Sequence, residues 1–393
     1  MRIAMLGPFG LRPKGTMAVR ALPLAQALAN RGHSVRLIMP AWHTPHEAPR
    51  TWQEGDVALE YVPLGPLPGH AAAPWIVQRM LRSALAWSPH VVHAFKPKAY
   101  AGLTAWRLWQ RRRLRGAPAL LVDEDDWEGR GGWEAVEAYP PAQRALFRWQ
   151  ERWGLTHCHG VTVASQALQT LAWSLGAPPA QVTYLPNGST LPPLDAPPAA
   201  APPVVLLYTR FAEFDPLRPV AVLQALAERV PAVRLRVVGQ ALDPARDAAF
   251  DRAVAAAGLE ARVQRCGWAP LEELPALLAG CRLALWPFDD DLINRCKCSV
   301  KLADLLRLGL PVVADAVGEV GRYVAHGETG WLTPPGDVAA MVERAAQLLG
   351  DAALAERMGQ AARRRYETLF DWNHLAITAE AAYERALALL QHA

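Results

Sequence analysis

Short apolar runs alternate with longer stretches of helical periodicity through the first half of the chain. The apolar runs lie at 2–6, 35–38, 91–93, 119–122 and 160–163. Between several of them, apolar positions recur every three or four residues, as at 18–30, 74–87, 101–115 and 144–155. The short runs predict buried strands and the longer stretches predict amphipathic helices. Strands that alternate with helices in this way predict a parallel α/β domain.

A proline- and alanine-rich segment at 191–203 interrupts this alternation, and a second series of the same kind follows it. A strand is predicted at 204–207, a helix at 217–229 and another strand at 235–238. The interrupting segment is too stiff and too poor in polar residues for a core element, so it predicts a linker. We therefore expect one Rossmann-like domain at 1–190 and a second at 204–370.

Composition narrows the class of protein. Of the 393 residues, 51% are hydrophobic and 20% are charged, as expected of a globular protein. A formal net charge of +4 is too small to indicate a nucleic-acid partner. A transmembrane helix needs about 18 consecutive apolar residues, and the sequence has no such run. Five cysteines without a paired pattern predict reduced thiols in a cytoplasmic protein, although Cys296 and Cys298 leave zinc binding open.

The stretch from 294 to 337 contains the most distinctive predicted helix. Ser299 is placed to cap its amino end, apolar residues follow with helical spacing, and Gly309 ends it. The amino end of a helix carries partial positive charge and free amides, which suit a phosphate. Lys301 and Asp304 share a face near that end, so a cation for a phosphate lies beside a carboxylate for sugar hydroxyls. The alternative is an ordinary helix with a salt-bridged surface.

Two predicted strands of the first domain end in residues suited to chemistry. His93 ends one strand, and the next delivers four acidic residues, including Asp125 and Asp126, followed by Trp127. The carboxyl ends of parallel strands meet at one edge of the sheet, where ligands bind. Adjacent carboxylates repel one another, so four together indicate a task such as holding a metal or orienting sugar hydroxyls. The alternatives are a core histidine and a solvated loop whose aspartates cap the next helix.

Several short blocks match a known family in order. The blocks KLADLLRLGLPVVA, Gly318 and HGETGWLTPPGD resemble the C-terminal signature of retaining glycosyltransferases of family 4, and YLPNG resembles the family's IPNG. Asp304 stands where the family has the second glutamate of its E-x7-E pair, and Cys296 stands in place of the first. The resemblance implies a GT-B fold, with two Rossmann-like, doubly wound domains facing across a cleft. It also implies that the terminal helix, 371–393, packs back on the N-terminal domain.

The resemblance further implies a reaction at the second domain. A hexose would pass from a nucleotide sugar, such as a UDP- or GDP-sugar, to a hydroxyl with retention of anomeric configuration, without a metal or other cofactor. Positive charge and backbone amides would stabilise the departing diphosphate. The implied donor-side residues are Arg210, Lys301, Cys298 and Ser299 for the diphosphate, with Arg218 as a substitute for a missing lysine, Gly15 beneath the phosphate and Asp304 for the ribose. Glu319, in the turn after the strand predicted at 312–314, is a further candidate for contact with the donor sugar, but no motif of the family assigns it.

On the acceptor side, Trp127 is the residue by which this sequence is aligned with the family. It assigns Asp125 the role of orienting the acceptor hydroxyl or receiving its proton, with His93 and Asp126 nearby. The acceptor itself is a sugar, a glycan or a lipid. The basic run Arg111–Arg113 follows two tryptophans, a combination that would suit contact with anionic lipid at the inner membrane surface. Such a run more often marks a solvated helix face, which is the interpretation that the sequence favours.

Two other classes of protein stay open at this point. Loss of the first glutamate would suit a catalytically weak homologue that binds a nucleotide sugar and serves as a partner subunit. A nucleotide-sugar epimerase shares the fold. Turnover separates the three, because a transferase needs an acceptor, an epimerase needs none, and a binding module consumes no donor.

Overall fold

The computed structural model describes residues 1–13, 15–67, 69–192 and 202–391. Most of the predicted linker, 193–201, lies outside these residues. The chain divides into two compact units. The first contains Met1–Asn187, Cys296–Cys298 and the chain from Trp372 onward, and the second contains Gly188–Arg295 and Ser299–Asp371.

The first unit is built on an eight-stranded sheet. Its strands are β1 (Arg2–Leu6), β2 (Ser34–Met39), β3 (Arg50–Glu54), β4 (Val57–Tyr61), β5 (Val91–Phe95), β6 (Ala119–Glu124), β7 (Gly160–Val163) and β8 (Val182–Tyr184). Their order is β3-β4-β2-β1-β5-β6-β7-β8, and every neighbouring pair is parallel except β3 with β4. The helices are α1 (Leu22–Asn30), α2 (Ala73–Ala86), α3 (Ala99–Trp109), α4 (Pro141–Thr156) and α5 (Gln166–Ser174).

Two features of the first unit were not predicted. The helix expected at 18–30 is divided into a π-helical turn at Met17–Ala21 and α1. Strand β3 pairs antiparallel with β4 at the edge of the sheet, and its sequence, RTWQE, has no buried residue. Because an edge strand needs no apolar run, hydrophobic patterning does not detect it. The central strands β5 and β6 are buried at every residue, as continuous apolar runs in parallel sheets usually are.

The second unit has a six-stranded sheet in which all pairs are parallel. Its strands are β9 (Val204–Tyr208), β10 (Arg234–Val238), β11 (Val263–Gly267), β12 (Leu283–Trp286), β13 (Val312–Asp315) and β14 (Gly330–Thr333), in the order β11-β10-β9-β12-β13-β14. The helices are α6 (Leu217–Arg229), α7 (Pro244–Ala256), α8 (Leu274–Leu278), α9 (Leu292–Cys296), α10 (Val300–Arg307), α11 (Val320–Tyr323), α12 (Val338–Gly350) and α13 (Ala352–Leu369).

The last described helix, α14 (Trp372–Gln391), belongs to the first unit and packs on α1, β6 and β7. Its Glu380 accepts two hydrogen bonds of 2.7 Å from Arg31, which follows α1. Its Tyr383 is buried and lies 2.9 Å from Nδ1 of His93 on β5. Among the helices of the described residues, none has the length and hydropathy that crossing a membrane requires.

Candidate functional site

The acidic run after β6 divides between the interior and the carboxyl edge of the first sheet. Asp123 is fully buried and accepts hydrogen bonds of 2.7 and 2.6 Å from Arg20, which lies in the π-helical turn. The Thr162 hydroxyl donates to the same carboxylate at 2.5 Å. A bidentate arginine holds a carboxylate in a fixed orientation. Asp123 is therefore a structural anchor beneath the residues that follow it.

Asp125 is the acidic residue best suited to acid–base chemistry. Its Oδ2 accepts a 2.8 Å hydrogen bond from the Thr16 hydroxyl, and its Oδ1 lies 3.4 Å from the Lys96 ammonium. Burial raises the pKa of Asp125 to about 6, against the opposing effect of Lys96. A carboxyl group with that pKa exchanges its proton near neutral pH, as general acid–base catalysis requires.

Lys96 joins Asp125 to two neighbouring carboxylates. Its Nζ lies 2.7 Å from Asp126 and 3.3 Å from Glu128. Burial alone would lower the pKa of Lys96, but the surrounding carboxylates outweigh it and raise the pKa well above its usual value. Lys96 has a φ of 50° and Ala99 a φ of 48°, a conformation that is costly for residues with a side chain. The turn after β5 is thus strained where it delivers the lysine.

Glu124 and Glu151 form a second layer beneath this cluster. Glu124 is 1% exposed, and neither carboxyl oxygen has a hydrogen-bond partner among the described residues. Burial, followed by repulsion from Glu151, raises the pKa of Glu124 well above its usual value. Burial also raises the pKa of Glu151 to about 8. Burial therefore favours the neutral, protonated form of both groups. Sequence reasoning missed Glu151, because a single acid in an amphipathic helix carries no distinctive signal.

His93 and Trp127, which were also predicted on the acceptor side, have different surroundings from Asp125. His93 has no exposed surface, and its ring nitrogens lie 2.9 Å from the Tyr383 hydroxyl and 3.0 Å from that of Thr162. Burial lowers its pKa to about 4, so it stays neutral. His93 is thus a hydrogen-bonded core histidine beneath the cluster, and it has no surface with which to contact an acceptor. Trp127 is half-buried, and its indole N–H donates to the Arg130 carbonyl at 3.0 Å.

Gly15 and Cys298, both predicted donor contacts, belong to the first unit. The Gly15 carbonyl accepts the amides of Ala18 and Val19 at 2.9 Å and so starts the π-helical turn. The Asn187 amide donates to the Cys298 carbonyl at 2.7 Å. Asn187 in turn accepts a 2.9 Å hydrogen bond from Arg20, so the segment Cys296–Cys298 is held by the same arginine that anchors Asp123.

In the second unit, α10 has the predicted limits but not the predicted cap. Ser299 occupies the capping position, yet its side chain makes no capping hydrogen bond in the described structure. Gly309 follows the helix with a φ of 69°, as a glycine that ends a helix does. Asp304 is buried and its Oδ1 accepts a 2.6 Å hydrogen bond from Ser189. Burial raises the pKa of Asp304 to about 7.

Two predicted phosphate ligands lie at the carboxyl edge of the second sheet. Lys301, in the first turn of α10, has its Nζ 3.7 Å from Glu213 and 5.9 Å from the ring centres of Tyr208 and Trp286. Arg210 follows β9 and is exposed, and within the described ranges its guanidinium makes no hydrogen bond or ion pair. An exposed, unpaired arginine is available for bidentate binding of a phosphate.

The loop that carries Arg210 is held by a residue that sequence reasoning missed. Phe211 is fully buried and has a φ of 51°, an unfavourable conformation for an aromatic residue. Arg246, on α7, donates to the carbonyl of Phe211 at 2.5 Å and also to that of Phe214. The Thr209 hydroxyl accepts the Phe211 amide at 2.8 Å. These bonds fix the loop in its strained form.

Arg218, the predicted substitute for a missing lysine at the diphosphate, already forms two ion pairs. It lies 2.6 Å from Asp289 and 3.1 Å from Asp315, which is itself fully buried. Removing it would leave a buried carboxylate without its counter-ion, so its contacts in this structure are those of a structural ion pair. Within the described ranges, no group of three or more His, Cys, Asp or Glu residues is arranged to hold a metal, and this includes the aspartates that follow β12.

Glu319 lies at the amino end of α11 and is 2% exposed. Gly318 before it has a φ of 50°, and a Cβ there would come within 2.5 Å of the backbone of Arg295. The glycine therefore lets the turn after β13 approach the chain just before Cys296. Cys296, in the place of the family's first glutamate, is buried.

Comparison with known proteins defines the class. One family model, described as a glycosyl transferase 4-like domain, matches residues 15–188, and a second, described as glycosyl transferases group 1, matches residues 205–351. Over 99% of this chain and 100% of the other, the fold matches sucrose-phosphate synthase from Thermosynechococcus elongatus, with a TM-score of 0.76 and 21% identity. It also matches HepE from Anabaena in complex with UDP and glucose, with a TM-score of 0.68 and 18% identity, over 97% and 98% of the two chains.

A curated relative matches part of the chain. The 2-deoxystreptamine glucosyltransferase of Streptomyces kanamyceticus is 29% identical over 262 residues, which cover 62% of this chain and 65% of the relative. The chain covers a smaller share, 18%, of a glycogen synthase from Mycobacterium tuberculosis. With both family models matched in order and two α/β units of parallel-dominated sheets, the chain belongs to the GT-B glycosyltransferases.

Proposed function

We propose that this protein is a metal-independent, retaining hexosyltransferase that moves a hexose from a nucleotide sugar to a hydroxyl group of a sugar, glycan or lipid. The observation that carries the proposal is Arg210, an exposed cation at the carboxyl end of a central strand of the second unit that makes no ion pair with the described residues. The HepE complex with UDP and glucose, and the glucosyltransferase activity in the relative's name, support a nucleotide sugar as donor and a hexose as the transferred group.

The donor diphosphate is assigned to the second unit. Arg210 binds it directly, and Lys301 turns from Glu213 to the phosphate, since the 3.7 Å separation is long for an ion pair. The amide end of α10 at Ser299 adds partial positive charge. As the bond to the sugar breaks, negative charge grows on the diphosphate, and these fixed groups stabilise it without a metal. Asp304 holds the ribose hydroxyls and Glu319 the sugar.

The acceptor is assigned to the first unit. Asp125, ionised above about pH 6, orients the acceptor hydroxyl and receives its proton as the new glycosidic bond forms. Thr16 and Lys96 hold the carboxylate in place. Asp126 and Trp127 contact the acceptor beside it, whereas His93 supports the site from below.

A donor and acceptor screen tests the reaction. Thermal unfolding with UDP, GDP and ADP identifies the base, because a nucleotide bound by the folded state raises the melting temperature. Turnover of the matching nucleotide-glucose is then followed with and without added sugars, in the presence of a chelator. We expect nucleoside diphosphate release that depends on the acceptor and is unaffected by the chelator.

The anomeric configuration of the product shows whether the reaction proceeds with retention or inversion. Proton NMR of the product sugar reports the anomeric configuration, and retention requires the same configuration as in the donor. An inverted product, chelator-sensitive turnover, or interconversion of donor sugars without an acceptor would each contradict the proposal. Lys301→Ala is the matched variant for the donor site, and it should weaken nucleotide binding without altering the anomeric outcome.

A further inference from the structure

A column of aromatic rings crosses the surface of the first unit between α3 and α4. The rings of Trp149 and Trp153 are stacked at 5.9 Å, and those of Trp153 and His157 at 4.6 Å with an interplanar angle of 9°. Trp109, at the end of α3, meets His157 edge-on at 6.1 Å. The guanidinium of Arg112 covers the Trp109 ring at 4.5 Å. We call this column and the turn at 109–115 the basic aromatic patch.

The charged residues in the two segments that form the patch are basic, apart from one buried glutamate. From Pro97 to Val122 the sequence has six basic residues and no acidic one. Over 140–163, which covers α4, the one acidic residue is Glu151, and it is 3% exposed. Arg113 and Arg115 are exposed, and within the described part of the chain their side chains make no hydrogen bond or ion pair. The patch therefore presents cations whose charge is not neutralised by the protein.

Large apolar side chains are exposed beside these cations. Leu114 is 62% exposed in the middle of the arginine run, and Trp149 is 42% exposed at one end of the column. Basic residues together with exposed leucine and tryptophan are the composition of surfaces that lie in a bilayer interface. The rings of Trp153 and His157 face each other, and Arg112 covers the Trp109 ring, so these three rings are poorly placed to stack on nucleobases or sugars.

We propose that the basic aromatic patch binds the surface of a bilayer that contains anionic lipid. The arginines contact lipid phosphates, while Leu114 and Trp149 enter the interface between headgroups and acyl chains. The indole N–H groups at the column's edge donate to lipid oxygens, which is the usual arrangement of tryptophan at an interface.

The patch and the acidic cluster lie at opposite edges of the same sheet. The turn at 109–115 leads into the amino end of β6 at Ala119, whereas Asp125 follows its carboxyl end. Helix α3, which has 11 residues, separates the two edges by about 16 Å at 1.5 Å per residue. When the patch rests on a bilayer, the acidic edge of the first unit faces away from it. Membrane binding by this patch thus anchors the enzyme and leaves its acceptor residues in water.

Sedimentation with vesicles tests the proposal on the full chain. We expect the protein to bind vesicles of phosphatidylcholine with phosphatidylglycerol, to bind vesicles of phosphatidylcholine alone much less, and to be released by salt. Arg113→Gln combined with Arg115→Gln should reduce partition by roughly twentyfold, since each arginine near an anionic surface contributes about a fivefold factor. Trp149→Ala should reduce it further. Transfer to a soluble acceptor should be unchanged, because none of these residues touches the proposed reaction.

The first unit offers a matched control on α2. Trp75 is 39% exposed and Arg79 covers its ring at 4.3 Å, so the pair has the same chemistry at another place. Arg79→Gln with Arg82→Gln, and Trp75→Ala, should leave vesicle binding as in the wild type. Equal losses in the two sets, or equal binding to both kinds of vesicle, would overturn the proposal. Binding of a single-stranded RNA that Arg113→Gln/Arg115→Gln abolishes, without vesicle binding, would assign the patch to nucleic acid instead.

Discussion

The carboxyl edges of the two sheets have the same architecture but present different charged groups. The edge of the first unit gathers five carboxyl groups against two lysines, namely Glu124, Asp125, Asp126, Glu128 and Glu151 against Lys96 and Lys98. The edge of the second unit presents Arg210, which makes no ion pair with the described residues, and Lys301, whose Nζ lies 3.7 Å from Glu213. Parallel sheets place loops at such an edge, and the loop residues alone decide which charge is in excess.

Under the proposed function, the two edges would have different tasks. Buried carboxyl groups with raised pKa values can accept a proton, whereas exposed cations can stabilise a departing anion. A group transfer to a hydroxyl needs both, because a proton leaves the acceptor as negative charge grows on the leaving group. The following predictions test each edge in turn, beginning with the largest expected effect.

Asp125→Asn should have the largest effect. An amide cannot receive the acceptor proton, so we expect turnover to fall roughly a hundred- to ten-thousandfold while nucleotide affinity stays unchanged. In the wild type, ionisation of Asp125 should make kcat/KM rise with pH through about 6 and then level off. The variant should lose this rise. Wild-type turnover in Asp125→Asn would remove the residue from the site.

Arg210→Ala should have a smaller effect, and it should act on nucleotide affinity at the carboxyl edge of the second sheet. Loss of a charged hydrogen bond of about 1.5–3 kcal/mol corresponds to about a ten- to hundredfold weaker affinity for the nucleotide. Calorimetry with the nucleoside diphosphate measures it directly. Arg234→Ala is the matched control, since Arg234 is exposed at the amino end of β10, the opposite edge of the same sheet. Equal losses of nucleotide affinity in Arg210→Ala and Arg234→Ala would contradict the assignment of the phosphate to the carboxyl edge of the sheet.

Asp304→Asn should act on a different property, namely the dependence of stability on pH. Burial raises the folded-state pKa of Asp304 to about 7, above the usual aspartate value of 3.8, so the folded state holds a proton that the unfolded state releases. Wild-type stability should therefore fall as pH rises from about 4 to 7, by on the order of 3 kcal/mol. An asparagine carries no such proton.

Urea unfolding at pH 5 and pH 8 checks this prediction. The advantage of Asp304→Asn over the wild type should grow from pH 5 to pH 8. Asp251→Asn, at an exposed position of the same unit, should show no such change. A pH-independent difference between Asp304→Asn and the wild type would mean that Asp304 is already ionised at pH 5, in spite of its burial.

Sequence reasoning found the parts of the site that lie in single local patterns. The strand ends that deliver Asp125 and Arg210, and the limits of α10, follow from apolar runs and glycine positions a few residues apart. It did not find Arg246, whose contacts with Phe211 and Phe214 link positions 35 and 32 residues apart. Nor did it find the core role of His93, which depends on Tyr383, 290 residues away.

The sequence alone determined two parallel α/β units, an acid-rich strand end in the first and a phosphate-suited helix in the second, because periodicity and local spacing are properties of neighbouring residues. Only the tertiary structure decided the protonation and pairing of those groups. Arg20 and Asp123 are 103 residues apart, and Glu124 and Glu151 meet from a strand and a helix. Burial and charge depend on what the fold brings together, and no stretch of sequence contains that information.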